Sequence, residues 1–226
     1  MRVLVVDTAL GLCTVGLFEL EAGELRRLGL CSEPMTKGHS ERVAGFARDA
    51  LAEAGLGFRA IDRIGVTVGP GSFTGLRVGL AFAQGLGAAL DRPVVGVSSL
   101  EGLEASAGPG PVAALIDARR GQVYARFPQG SVTSGPDEAL SLDAAAARIG
   151  LMPAGARLIG SGAALFAEAF PDLIALPLAG PDPEALARLA VAAEPASAPP
   201  RPLYLRAPDA VPPTRLPGQA RPARPS

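Results

Sequence analysis

IGVTVGPGSFTGLRVGLAFAQGLGAAL, residues 64–90, decides how the rest of the chain is read. IGVTV is a short, β-branched, apolar run of strand type, and Gly69, Pro70 and Gly71 cannot continue it, so a turn must follow. Ser72 or Thr74 can cap the next helix by accepting a hydrogen bond from a free first-turn N–H. From Thr74 onward the pattern is helical. Leu76, Leu80, Leu86 and Leu90 give one broad apolar face, while Gly75, Gly79, Ala83 and Gly87 recur every fourth residue and stack on one side. A glycine inside a helix costs about 1 kcal/mol relative to alanine, so a ridge of them needs an offsetting close approach of backbone. That approach is either to this protein's own sheet or a neighbouring helix, or to a helix of another subunit. On the second alternative Gly75, Gly79, Ala83 and Gly87, with Val43 and Ala47 of an earlier helix, form a partner interface.

Composition sets the class. With 226 residues and 48% hydrophobic side chains, the chain has ample material for a buried core. A net charge of -1 provides no general attraction to nucleic acid or anionic membrane, so any RNA contact is expected to be local or made through a partner. No apolar run of ~18 residues is free of charges and turn residues, and the sequence opens directly on a strand pattern. A cytoplasmic protein without a membrane partner is expected. Cys13 and Cys31 belong to no C-x-x-C pair and read as reduced core thiols.

Around the central stretch the chain falls into two similar halves. VLVVDTA, residues 3–9, is a buried strand ending at Asp7, and turns at Gly11 and Gly23 introduce two more strands. Residues 40–54 are helical, with Val43, Phe46, Ala47, Ala50 and Leu51 as the core stripe. The strand at Ile64 and the glycine-rich helix complete βββαβα, and residues 93–97 add a strand. VAALIDARRGQVYARF, residues 112–127, then lies over VLVVDTALGLCTVGLF, residues 3–18, with Asp117 matching Asp7 and the turn one residue shorter. A third strand near Val132, a helix at 142–149, a strand at 157–160 and helices at 163–170 and 183–193 are expected to follow. The fold class is α/β: two tandem βββαβα units with the architecture shared by actin, hexokinase and the Hsp70 ATPase, an RNase H-like arrangement. The domains expected are 1–97, 98–206 and a Pro/Arg-rich, disordered tail at 207–226; ten prolines and five arginines fall in the last 32 residues.

The chemistry is sparse. Nucleotide-binding members of that architecture follow the Asp of the first strand with Gly and Ser or Thr, whereas Asp7 is followed by Thr8, Ala9 and Leu10, and Asp117 by Ala118 and Arg119. GPGSFTG is neither a G-x-x-x-x-G-K phosphate loop nor a G-x-G-x-x-G fingerprint. His39 is the sole histidine, so a two-histidine metal site cannot be assembled. It either makes a polar contact at a subunit junction or starts a helix whose first turn carries Glu41. Asp7, His39, Ser72, Thr74, Asp117 and Arg119 remain candidates for a nucleotide site or a polar junction. No catalytic residue, metal or cofactor is assigned.

VDTA near the start, HSE at His39, VGPGSFTGLRVGLAFAQGL from Val68, VGVSSLEGL from Val95 and IDARRGQVYARF from Ile116 together resemble the bacterial TsaB (YeaZ) family. The resemblance extends to about Arg206. It implies a non-catalytic subunit of the machinery that places threonylcarbamoyl on the adenosine beside the tRNA anticodon. In that system TsaD carries the metal site and transfers the group, and TsaE is an ATPase partner. The family meets TsaD, or a second copy of itself, through the two helices of the N-terminal half. The resemblance therefore implies a scaffold that binds TsaD and TsaE, forms a homodimer when alone and meets tRNA only through the complex. The alternatives are enzymes of the same fold, a metallopeptidase of glycoprotease type or an ATP-dependent kinase.

Overall fold

In the computed structural model, which describes residues 1–129 and 133–206, β1 (Arg2–Asp7) alternates its side chains between two cores. Leu4 and Val6 join one buried cluster and Val3 and Val5 another, as the period of two along a strand requires. β1 pairs antiparallel with β2 (Leu12–Glu21), which pairs antiparallel with β3 (Glu24–Pro34). On its other side β1 runs parallel to β4 (Arg63–Gly69), and β4 runs parallel to β5 (Val94–Ser98). Helices α1 (His39–Glu53) and α2 (Phe73–Leu90) cover the Leu4/Val6 face, with Val43, Phe46, Ala47, Leu51, Leu80 and Ala83 in the core.

The second unit repeats this order. Its sheet runs β10-β7-β6-β11-β12, built from β6 (Val112–Arg119), β7 (Gln122–Arg126), β10 (Glu138–Ser141), β11 (Arg157–Ile159) and β12 (Ile174–Leu176). The first sheet runs β3-β2-β1-β4-β5, so each strand has its counterpart. A two-stranded ribbon, β8 (Pro128–Gln129) with β9 (Thr133–Ser134), stands apart. Helix α4 (Leu142–Ile149) covers one face of the second sheet, capped by Ser141. Two expectations are corrected here. The third strand of this sheet is Glu138–Ser141; Val132, where it was expected, lies outside the described residues. The helix expected over 163–170 is a single 3-10 turn, Ala163–Leu165, followed by turns. Gly160, at φ 103, and Gly162 bring this segment under the Leu115 carbonyl. The Gly162 N–H donates to Leu115 O at 2.9 Å, and Ala163 and Phe166 fill the core from there.

The remaining two helices cross between the units. α3 (Ser99–Ser106) follows the first sheet but packs on the second, where Leu100 and Leu103 meet Val112, Ala114, Ile116 and Ile159. α5 (Pro183–Ala192) follows the second sheet but packs on the first, where Leu186, Ala187 and Ala190 meet Val3, Val5, Phe18, Val95 and Val97. Ala190 comes so near β4 that a Cβ on Gly65 would lie 2.5 Å from its methyl. Residues 183–206 thus close back on the N-terminal sheet, and no cut at 97/98 divides the chain into two separate packing units. The tail expected to be disordered, 207–226, lies outside the described residues.

Both cysteines are free. Cys13 is buried, and burial with nearby carboxylates pushes its thiol to about 11, so it stays protonated and unreactive at neutral pH.

Candidate functional site

Helix α2 has two faces with different neighbours. Ser72 caps it, its side chain accepting from the Gly75 N–H at 3.2 Å. Inward, the backbone at Gly75 passes so close to β1 that a Cβ there would sit 2.0 Å from the Thr8 carbonyl oxygen, and one on Gly79 would sit 2.5 Å from Thr8 Oγ1. Thr8 Oγ1 in turn donates to Gly75 O at 2.7 Å, tying strand end to helix. Gly87 meets Val94, and Ala83 is in the main core. The ridge of small residues therefore serves this protein's own sheet. Gly75, Gly79, Ala83 and Gly87 are not an interface, because strands β1, β4 and β5 already occupy the space a partner would need; Ala47 is likewise fully buried.

The outward face carries what the ridge does not. Phe73, Thr74, Arg77, Val78, Ala81 and Phe82 of α2, with Ser40, Val43 and Ala44 of α1, line an apolar groove of about 490 Å³. Of the six expected interface residues, Val43 alone reaches it, as part of its floor. Phe73 is 51% exposed, unusual for so large an apolar ring. Arg77 lies over that ring at 3.8 Å. The sequence carried a signal for this face: Phe73, Arg77 and Ala81 recur every fourth residue, offset by two from the glycine ridge, and α2 is apolar on nearly every side. By length and composition alone α2 could cross a membrane, but in the fold it forms a layer on the sheet.

Beside the groove, a cleft of about 780 Å³ separates the two units. Ala9, Leu10, Gly11, His39, Gly71, Ser72 and Phe73 line it from the first unit. Ile116, Asp117, Ala118, Arg119, Tyr124 and Ser161 line it from the second, and Ala179, Tyr204 and Arg206 complete it. The two repeat aspartates share one local geometry. Asp7 Oδ1 accepts the Ala9 N–H at 2.9 Å, and Asp117 Oδ1 accepts the Arg119 N–H at 2.8 Å. Their surroundings differ. Asp7 is 1% exposed, also accepts from Thr67 Oγ1 at 2.7 Å, and stays behind the cleft wall. Burial pushes its carboxyl above the ordinary value, against the pull of the Ala9 and Thr67 hydrogen bonds and of His39. Asp117 reaches the cleft and pairs with Arg119 at 3.3 Å.

Of the remaining candidates, His39 and Ser72 line the cleft, and Thr74 faces the groove instead. His39 is the first residue of α1, whose N-cap, Gly38, makes no side-chain cap bond, and its Nε2 is buried without a partner. Among the described residues no group of three or more His, Cys, Asp or Glu could hold a metal ion.

Tyr204 and Arg206 were not singled out by sequence. They belong to an extended strap: Leu203 N–H donates to Val68 O at 2.7 Å, and Gln84 Nε2 donates to Pro200 O at 2.7 Å. Tyr204 stacks on Phe73 with centroids 5.5 Å apart. Arg206 Nη1 donates to Ala118 O and Gln122 Oε1 of the second unit. The strap thus joins groove, cleft and both units.

Known proteins match this arrangement. The family model described as TsaD, tRNA N6-adenosine threonylcarbamoyltransferase, matches residues 26–172. An uncharacterised Mycobacterium tuberculosis protein is 38% identical over 216 residues, covering 93% of this chain and 94% of that one. The Escherichia coli tRNA threonylcarbamoyladenosine biosynthesis protein TsaB is 36% identical over 128 residues, covering 55% of this chain and 53% of that protein. Among solved structures, YeaZ from Pseudomonas aeruginosa superposes with a TM-score of 0.66 at 32% identity, over 84% of this chain and 90% of that one. The shared two-unit fold, sustained sequence identity and near full-length structural match show that this chain belongs to the bacterial TsaB (YeaZ) family.

Proposed function

We propose that the chain is a non-catalytic docking subunit in tRNA threonylcarbamoyladenosine synthesis, which binds a TsaD protein through the outer faces of α1 and α2, works alongside TsaE, and pairs with a second copy of itself when TsaD is absent. The observation that carries this reading is the exposed apolar groove between those helices, centred on Phe73, Val78, Ala81 and Phe82. A contiguous apolar surface of this kind is costly to leave in water and marks an association site. The names of the TsaB relatives support the pathway. A single histidine supports the division of labour, since metal chemistry by a two-histidine site would have to come from the partner. The action is then population shift: a few kcal/mol of differential binding moves a partner from mostly inactive to mostly active. The compartment proposed is the cytoplasm.

Light scattering on the chain alone and mixed with the TsaD of the same organism tests this reading, using wild type and Ala81→Glu. Wild type is expected to dimerise alone and to exchange into a heterodimer. The variant, altered only on the outer face, is expected to melt at the wild-type temperature while losing both associations. A wild type that ignores TsaD, or a variant that binds it normally, overturns the proposal.

A further inference from the structure

We propose that the strap at 199–206 makes the outer groove answer to the second unit: Leu205 and Arg206, seated on that unit, set where Tyr204 stands, and Tyr204 sets how Phe73 and Arg77 face a docking partner. The effect on TsaD rests on the docking reading above, whereas the placement of Phe73 is a property of the chain alone.

The strap is anchored on both units. On the first, Gln84 Nε2 donates to Pro200 O and the Leu203 N–H donates to Val68 O, each at 2.7 Å. Pro200 also lies against β5, where a Cβ on Gly96 would come within 3.0 Å of it. On the second, Leu205 packs against the apolar cluster that α3 forms with the sheet, and Arg206 Nη1 donates to Ala118 O and Gln122 Oε1 at 3.2 Å each. Tyr204 lies between these anchorages and faces the other way from Leu205, as neighbours in an extended chain do. Pro199, Pro200 and Pro202 fix three of the φ angles along the strap, so it passes a displacement on rather than absorbing it.

The middle contact belongs to the groove. Tyr204 stacks on Phe73 with the rings 28° from parallel, and Arg77, which lies over the same Phe73 ring, donates from Nε to the Tyr204 hydroxyl at 3.3 Å. Both aromatic residues are about half exposed, so the stack does for them what burial does for a core ring: it selects one orientation. Exposed aromatic and arginine side chains of this kind supply much of the energy of protein interfaces. The cleft lies directly beside the contact, and its walls come from both units. A shift of the second unit across it carries Leu205 and Arg206 along while Pro200 and Leu203 stay on the first unit, and the displacement falls on Tyr204. Such coupling is reciprocal, so a partner seated on Phe73 and Tyr204 also favours the seated position of the second unit.

Two readouts separate the strap from docking. In the isolated full chain, the ring NMR signals of Phe73 and the guanidinium signal of Arg77 report the stack. Arg206→Ala and Gln122→Ala change residues outside the groove lining, yet both are expected to shift these signals toward their positions in Tyr204→Ala, Arg206→Ala the further of the two. None of the three substituted residues is in a buried core, so each variant is expected to fold. Against TsaD, calorimetric titration should show Tyr204→Ala and Arg206→Ala binding about tenfold more weakly than wild type, the scale of one aromatic contact. Tyr204→Phe keeps the ring, loses only the hydroxyl bonded to Arg77, and should bind within about threefold of wild type. Phe73 signals that Arg206→Ala and Gln122→Ala leave unmoved would overturn the proposal. So would an Arg206→Ala variant that binds TsaD like wild type, or a Tyr204→Phe variant as weak as Tyr204→Ala. A wild type that ignores TsaD ends the docking reading instead, and the spectra of the isolated chain then decide whether the second unit sets Phe73.

Discussion

The two units share a strand order yet differ in what they place on their sheets. The first carries helices of 15 and 18 residues side by side; at the same positions the second carries one of eight residues and a single 3-10 turn. The strands alone suffice to repeat the fold, as the matching sheet orders show. The long helical pair adds a second, outward-facing surface that the short pair does not. The repeat therefore supplies the frame, and the asymmetry between its copies supplies the apolar groove. The crossing helices obey the repeat closely. Arg63 opens β4 and donates to Ala190 O, Val191 O and Ala193 O at the end of α5. Arg157 opens β11 and donates to Ala107 O, Gly108 O and Pro109 O just past α3. One guanidinium per unit thus closes the end of the helix sent across by the other unit.

The most forceful way to break the contrast between the faces of α2 is to enlarge its inner one. Gly79→Leu would drive a side chain into Thr8 Oγ1 and Val66, and Gly75→Leu would meet the Thr8 carbonyl itself. Overpacking against a closely approaching strand costs about 3 kcal/mol or more, and a main-chain atom cannot move aside as a side chain can. Gly75→Leu is therefore expected to be the worse of the two, with little folded protein in circular-dichroism melts. Should Gly79→Leu melt like wild type, β1 would not be held against the ridge as described.

The symmetry of the two arginines is sharper to test and smaller in effect. Arg63→Ala and Arg157→Ala each free three carbonyls at a helix end, and a hydrogen bond from a charged donor is worth about 1.5–3 kcal/mol before water takes its place. Urea unfolding should show losses of about 2 kcal/mol for each. A loss confined to one of them would mean that the two crossings are not energetic equivalents.

Much of this frame was legible in the sequence because strand order and the Asp7/Asp117 correspondence are local patterns: an apolar run, an aspartate, a turn and a second run. Small residues at every fourth position of α2 announced a close approach equally well. They could not say to what, since Thr8 lies 67 residues before Gly75 and a one-sided ridge fits a sheet or a foreign helix alike. The apolar outer face was hidden by the same helix, whose two sides both look core-like. The return of α5 to the first sheet was illegible for another reason: its stripe of Ala185, Leu186, Leu189 and Ala190 is suited to either sheet. Tyr204 and Arg206 fall just inside the expected second domain, 98–206, in a proline-rich stretch whose pattern names no role for them, although Leu203 is bonded to β4.

The smallest expected effect separates the two repeat aspartates. Asp7 is buried with a raised pKa, whereas Asp117 lines the cleft and pairs with Arg119. A carboxyl whose pKa is raised on folding holds its proton more tightly in the folded state than in the unfolded one. Its contribution to stability is fully present below the ordinary value of 3.8 and is lost as pH climbs through the raised value, where the buried group must ionise. Asp7→Asn keeps an oxygen to accept from Ala9 N–H and Thr67 Oγ1 and cannot ionise. Its urea midpoint should fall less than that of wild type between pH 4 and pH 8. If Asp7→Asn and wild type trace parallel curves over that range, Asp7 bears no desolvation cost in the fold.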